Sequence, residues 1–477
     1  MARIVFMVWP MTDSVISGLK IARGLRSRGH DVSYLGPADS RPFVEPHGFF
    51  FTPLYAGELP ETPTADAMKS WSAQERRDYR RSRSEAIRAL LEAVASDQNR
   101  EFQHLVAGLA PDLLIIHSSD FEVVIPSLLA IEAGVACVYL NSILASAEEC
   151  GLPPLATSII PNDRWLSAVR IWLAWKKLTL SRRISTALAF CFARGQRNPL
   201  AEASRRIAER CRYPRELVGS SDTLRLKARL PELIAWPRRL DFPVAERPGR
   251  HYLGCNIDLE REQADFPWDQ LDSRPMIYCA LGTLTWFRRD QYLAFFQAVL
   301  DIAATRPNDR WVVCLYDAVA PEDFASVPAN VILVKRAPQL ALLPLTKIAI
   351  IHGGANSMKE CAFFGVPMIV FPIGFDQPGN AARIVYHGLG VRGEIRKISA
   401  IGLAALLEQV EKDPFIRLQA RLMGEALRAE GNDRGVDFVE SLLPGSRREP
   451  SGDEPRLVPH RDVRRDRAEA ALSDASR

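Results

Sequence analysis

The apolar run Ile348–Ile351 breaks into His352-Gly353-Gly354, then Ala355-Asn356-Ser357, with Glu360 one helical turn past Asn356. Two glycines let a backbone come close to a ligand. A helix opening at Asn-Ser would present free amides and a partial positive charge, a setting that suits a diphosphate. An imidazole at the strand end can add a charge-assisted contact and help hold a leaving group. On the same helical face, the Glu360 carboxylate can accept from ribose hydroxyls. A second apolar run, Met368–Pro372, leads to Asp376-Gln377 with Asn380 beyond, a carboxylate and an amide of the kind that binds sugar hydroxyls. A lone His-Gly-Gly is usually only a tight turn, and a lone Asp-Gln only a surface loop. In this order, about 25 residues apart, their coincidence is more specific than either alone.

The elements that would carry these residues read as alternating strands and helices. Ile4–Val8 is a short β-branched run, Gly18–Arg28 a helical stretch ending at Gly29, and Asp31–Leu35 a second strand. A βαβ unit implies a parallel sheet, and open sheets of that kind take ligands at the carboxyl ends of their strands, here the loop Pro10–Ser17. Pro111–His117 and Val135–Leu140 continue the pattern. Met276–Ala280, running into Leu281-Gly282-Thr283, opens a second set with Trp311–Tyr316 and Val331–Val334.

Taken together, these segments resemble the nucleotide-sugar signature of the UDP-glycosyltransferase family. Leu281-Gly282-Thr283, Ala337-Pro338-Gln339 and its leucine run, and Asp376 to Ile384 most resemble its bacterial carotenoid (zeaxanthin) glucosyltransferases. His251-Tyr252-Leu253-Gly254 and Phe266-Pro267-Trp268 resemble that subgroup as well. The similarity covers about 140 residues of the C-terminal half. In the N-terminal half it rests on the Leu19 to His30 helix and Pro111-Asp112-Leu113.

The resemblance implies a GT-B fold: two doubly wound Rossmann-like α/β domains facing across a cleft, with a C-terminal helix crossing back. It divides the chain into an acceptor domain at 1–235, a linker at 236–249, a donor domain at 250–398, returning helices at 399–445 and a disordered tail at 446–477. It also implies roles. Gly282 and Thr283 would meet the β-phosphate. Ala337 and Gln339 would meet base and ribose. His352, Gly354, Asn356 and Ser357 would hold the diphosphate, Glu360 the ribose, and Asp376 with Gln377 the sugar. Arg336 takes the place where plant members stack the base on tryptophan, and a guanidinium can stack too.

The implied activity is inverting, metal-independent transfer of a hexose, glucose by resemblance, from a UDP- or dTDP-sugar to a lipophilic small molecule. No cofactor beyond that donor and no metal are expected. The family's usual base is a histidine sixteen residues before that of Arg28-Gly29-His30, and here that place is Ser14. The partner aspartate is expected where this chain has His117, with Asp120 three residues on. Four readings stand. Asp13 is the base; or His117 is, oriented by Asp13 or Asp120; or the acceptor is already an anion; or the chain is a non-catalytic sugar-nucleotide-binding partner. An epimerase or hydrolase on the same fold is a further rival.

Bulk properties agree with a globular protein: 47% of residues are hydrophobic, 25% charged, and the net charge of +4 gives no field for nucleic acid. Eight scattered cysteines, with no Cys-x-x-Cys pair, fit a reducing compartment, so a cytoplasmic setting is expected. Residues 164–194 hold seven Lys or Arg and no acid, interleaved with tryptophans. They read either as a surface helix pair with snorkelling cations or as a flank resting on the inner face of a membrane.

Overall fold

A computed structural model describes the chain except for residues 61–70, 119–122, 145–150, 193–198, 215–217, 221–225, 244–248, 284–287 and 444–477. Asp120 and the tail from 446 therefore lie outside the described residues.

Two parallel sheets organise the molecule. The first contains β1 (Arg3–Met7), β2 (Asp31–Pro37), β3 (Phe50–Leu54), β4 (Leu113–His117) and β5 (Cys137–Asn141). After a small antiparallel hairpin, β6 (Val218–Ser220) and β7 (Leu226–Ala228), it gains β8 (Glu232–Ile234) and β9 (Arg250–Tyr252), in the order β3-β2-β1-β4-β5-β8-β9. The second contains β10 (Met276–Ala280), β11 (Arg310–Cys314), β12 (Val331–Val334), β13 (Thr346–Ile351), β14 (Met368–Val370) and β15 (Gly390–Arg392), in the order β12-β11-β10-β13-β14-β15. The 3-2-1-4-5-6 winding is that of a dinucleotide-binding sheet, and every strand pair in both sheets is parallel. Residues 250–252, which the sequence places at the start of the donor domain, pair instead with β8 in the first sheet.

Alternation along the strands builds each core. Ile4 and Phe6 face one side of β1, where they pack with Val15, Leu19, Ala22 and Leu25 of the helix Thr12–Ser27. Val5 and Met7 face the other. In β10, Met276 and Tyr278 split from Ile277 and Cys279 in the same way. The helix Arg434–Ser441 returns to the first domain: Val436 and Val439 join its core, and a Cβ on Gly24 would stand 2.4 Å from Val436.

The first helix differs from expectation. It begins at Thr12, so Asp13 and Ser14 sit on its first turn rather than in a loop. Its N-cap is Met11, without a side-chain cap, so the usual sequence cue for a helix start is missing. Residues 165–192 form one helix and not a pair, consistent with the lack of Gly or Pro within them.

Candidate functional site

Both sheets place chemistry where their strand order reverses. In the first, β1 and β4 are neighbours, with Ile4 beside Leu113 and Met7 beside Ile116, so the Trp9–Ser14 turn emerges next to His117. In the second, Ala280 pairs with Ile351, which sets Leu281-Gly282 against His352-Gly353-Gly354. These are the crevices in which open α/β sheets bind ligands.

In the crevice of the second sheet the His352 ring fills the gap between two glycines. A Cβ at Gly282 would stand 2.5 Å from its Cε1, and one at Gly354 would stand 2.4 Å from its Nε2. Gly282 also holds φ at +80°, a conformation that disfavours other residues. Burial pushes the His352 imidazole down to about 4, outweighing the raising contact with the Ala280 backbone. At neutral pH the ring is thus uncharged before any anion binds, and the charge-assisted contact expected from the sequence begins as a neutral one. Gly354 caps the helix Ala355–Phe364, whose first turn carries Asn356 and Ser357. That helix is long enough for its free amides to act as an anion site.

Around this turn the other expected donor residues are linked to one another. Glu360 is buried and accepts from Arg261 Nη1 at 2.7 Å and from Gln339 Nε2 at 2.5 Å. Gln339 also receives the Tyr278 hydroxyl at 3.2 Å and lies 3.4 Å from Ser357 Oγ. Ala337 packs partly buried against the core at the start of that turn. Arg336 bonds Asp317 at 3.1 Å and lies 5.9 Å from the Tyr316 ring centre, at the edge where a base would stack. Thr283 is exposed beside Gly282. Asp376 caps the helix Gln377–Tyr386 and accepts from Asn380 at 2.7 Å, while Gln377 Oε1 accepts the Ile373 amide at the same distance. Asn380 also donates to the Gly353 carbonyl at 2.9 Å, tying the Asp-Gln loop to the glycine turn.

The first domain meets this assembly through Asp13. Asn356 Nδ2 donates to its Oδ1 at 2.7 Å across the cleft, and Ser142 Oγ donates to its Oδ2. His117 Nε2 lies 4.0 Å from the same Oδ2. The Asp13 side chain is 32% exposed and that of His117 only 3%, so the carboxylate faces the cleft and the imidazole stands behind it. Ser14 is buried and accepts the Trp9 amide at 2.9 Å, while Trp9 Nε1 donates to the His117 carbonyl at 3.0 Å. These bonds fix the turn that aims Asp13.

Five residues escaped sequence reasoning. Ser142 follows β5 and carries no motif. Arg261 lies far from Glu360 in the chain. Lys359 is buried, donates to the Ala235 carbonyl at 2.6 Å, and has its amine pushed down by burial. Arg383 and Asp241 form a fully buried ion pair between the domains, Nε to Oδ1 at 2.8 Å. Among the described residues no group of three or more His, Cys, Asp or Glu is placed to hold a metal ion.

Residues 298–436 match the family model described as erythromycin biosynthesis protein CIII-like, C-terminal domain. The chain is 31% identical over 149 residues to the 3-alpha-mycarosylerythronolide B desosaminyl transferase of Saccharopolyspora erythraea, covering 31% of this chain and 35% of that one. It is 30% identical over 177 residues to the zeaxanthin glucosyltransferase of Pantoea ananas, covering 36% and 39%. The chain spans less than half the length of the curated relatives it matches. The solved glycosyltransferase of kitacinnamycin shares the fold at a TM-score of 0.64, with 21% identity over 93% of this chain and all of that one. The chain is therefore a GT-B-fold protein in which residues 298–436 match the erythromycin CIII-like C-terminal domain.

Proposed function

We propose that the protein is an inverting, metal-independent glycosyltransferase that moves a hexose from a UDP- or dTDP-sugar to a hydroxyl or carboxyl group of a lipophilic small molecule. The observation that carries this reading is the bond between Asp13 and Asn356. It puts a cleft-facing carboxylate beside the turn that would hold the donor diphosphate. The acceptor hydroxyl gives its proton to Asp13 as its oxygen forms the new bond to the anomeric carbon, and the bond to the nucleoside diphosphate breaks on the opposite face. The helix amides after Gly354 and the His352 ring would take up the charge of the leaving group.

His117 stands behind Asp13 in this scheme and orients it, with the base one residue before the place where the family has its histidine. The converse assignment, His117 as base, is weakened by the deeper burial of its ring. Glucose and a lipophilic alcohol are favoured by the name of the zeaxanthin relative, and a different sugar by that of the desosaminyl transferase.

The test is donor turnover with UDP-glucose and dTDP-glucose against lipophilic alcohols and acids, with and without EDTA. Transfer that needs the acceptor and survives EDTA supports the proposal. Donor consumption without any acceptor would point to an epimerase or hydrolase. Donor binding without turnover on any acceptor would favour a non-catalytic partner.

A further inference from the structure

The helix Trp165–Phe192 holds one face against the protein and leaves the opposite face bare. Ser167, Ile171 and Trp175 are buried, whereas Trp165, Val169, Trp172, Leu173, Leu180 and Ile184 are exposed, Trp165 by 72% and Trp172 by 51%. At about 100° per residue these exposed positions fall within about 120° of the helix surface, opposite the buried ones. Single exposed apolar residues are ordinary, but a contiguous row of this size marks an interaction surface. The charges in and beside the row have one sign: Arg170, Lys176, Lys177 and Arg183 are exposed, and no acid occurs between 164 and 194. Lys176 lies over the Trp172 ring at 5.6 Å, an ammonium kept beside an apolar plate.

From these features we propose that this helix lies on an anionic phospholipid surface, its tryptophans and leucines at the level of the headgroup boundary and its cations against phosphate. No described helix is long and apolar enough to cross a membrane, so the contact is peripheral. Trp and Leu on the face turned away from the protein, with Lys and Arg snorkelling beside them, is the composition of an interfacial helix. A protein partner of ordinary composition would not demand the absence of every acid over thirty residues.

The surface connects directly with the cleft. Trp175 Nε1 donates to the Leu152 carbonyl at 2.8 Å, and the Leu155 carbonyl accepts the Gly379 amide at 2.7 Å. Residues 152–155 therefore bridge the membrane helix and the first turn of the helix that follows Asp376. A lipid-dissolved acceptor leaving the bilayer here would arrive beside the donor sugar. That routing rests on the proposed transferase reading, while the membrane contact itself does not.

Flotation of the full chain with vesicles tests it, using phosphatidylcholine alone and phosphatidylcholine mixed with phosphatidylglycerol, without any sugar nucleotide. The protein is expected to float with the anionic vesicles and to detach at high salt. Each cation is worth about five-fold in partition, so K176E/K177E should weaken binding by at least about twenty-five-fold. Trp172→Ser should weaken it even at low salt. Nucleotide affinity should stay unchanged in both variants, which shows that they are folded and separates this test from that of the transferase. Equal partition onto neutral and anionic vesicles, wild-type flotation by both variants, or self-association abolished by Trp172→Ser without any vesicle binding would overturn the proposal.

Discussion

Exchanging Asp13 and His117 tests the proposed chemistry most sharply. Asp13→Asn keeps the bonds to Asn356 and Ser142 within reach but removes the proton acceptor. Loss of a positioned general base lowers turnover by about 10²–10⁴-fold. His117→Gln keeps a polar group of similar reach but removes the ring that lies 4.0 Å from the carboxylate. The ring holds the carboxylate in place, and misplacing a reacting group by about 1 Å costs about 10²-fold, so the loss in kcat should reach about 10²-fold at most and stay below that of Asp13→Asn. The double variant Asp13→His/His117→Asp exchanges the two groups, so that an imidazole faces the cleft and a carboxylate stands behind it. It should recover at least about tenfold over the better single variant, about 1.4 kcal/mol. The assay is single-turnover transfer at saturating donor, with nucleotide affinity measured separately by titration calorimetry. An Asp13→Asn enzyme close to wild type in kcat would refute the assignment of the base. A double variant as inactive as the single ones, with donor affinity intact, would refute the pairing.

Other outcomes follow from the same geometry. Gly354→Ala should displace the His352 ring, since its Cβ would stand 2.4 Å from Nε2; overpacking of that kind costs about 1–3 kcal/mol, read as weaker nucleotide binding in calorimetry. Arg383→Met leaves Asp241 buried without its cation and should cost about 3–5 kcal/mol in denaturant unfolding, whereas Arg383→Met/Asp241→Asn should recover part of it. Since His352 falls from an ordinary 6.5 to about 4 on folding, the unfolded chain binds the extra proton between those values. Its contribution to stability is therefore complete above pH 6.5 and is lost as pH falls towards 4, and His352→Asn should flatten that part of the melting-temperature profile.

The strand-end turns of the second sheet were legible because their requirements are local. A strand that ends in such a turn needs glycine where backbone and imidazole crowd together, and Gly282, His352 and Gly354 declare this within a few residues. Groups that meet only through tertiary structure were less legible: Ser142 reaches Asp13 from a different strand end, and Arg261 reaches Glu360 from a segment that precedes the second sheet. The start of the first helix was hidden by Met11, which offers the backbone no capping oxygen. Arg250–Tyr252 looked like the opening of a new domain, yet a three-residue strand goes to whichever sheet edge is free, and here that edge belonged to β8.

The return of Arg434–Ser441 onto Thr12–Ser27 has a consequence for recombination. A chimaera that takes its nucleotide half from a relative cannot simply be spliced after Tyr252 and run onward, because the last described helix completes the core of the other half. Gly24 has no room for a Cβ against Val436, and a Cβ at Gly435 would stand 2.9 Å from Ile21. A working graft has two junctions, one after β9 and one before Arg434, so the module built on the second sheet is an insert within the first domain and not an appendage to it.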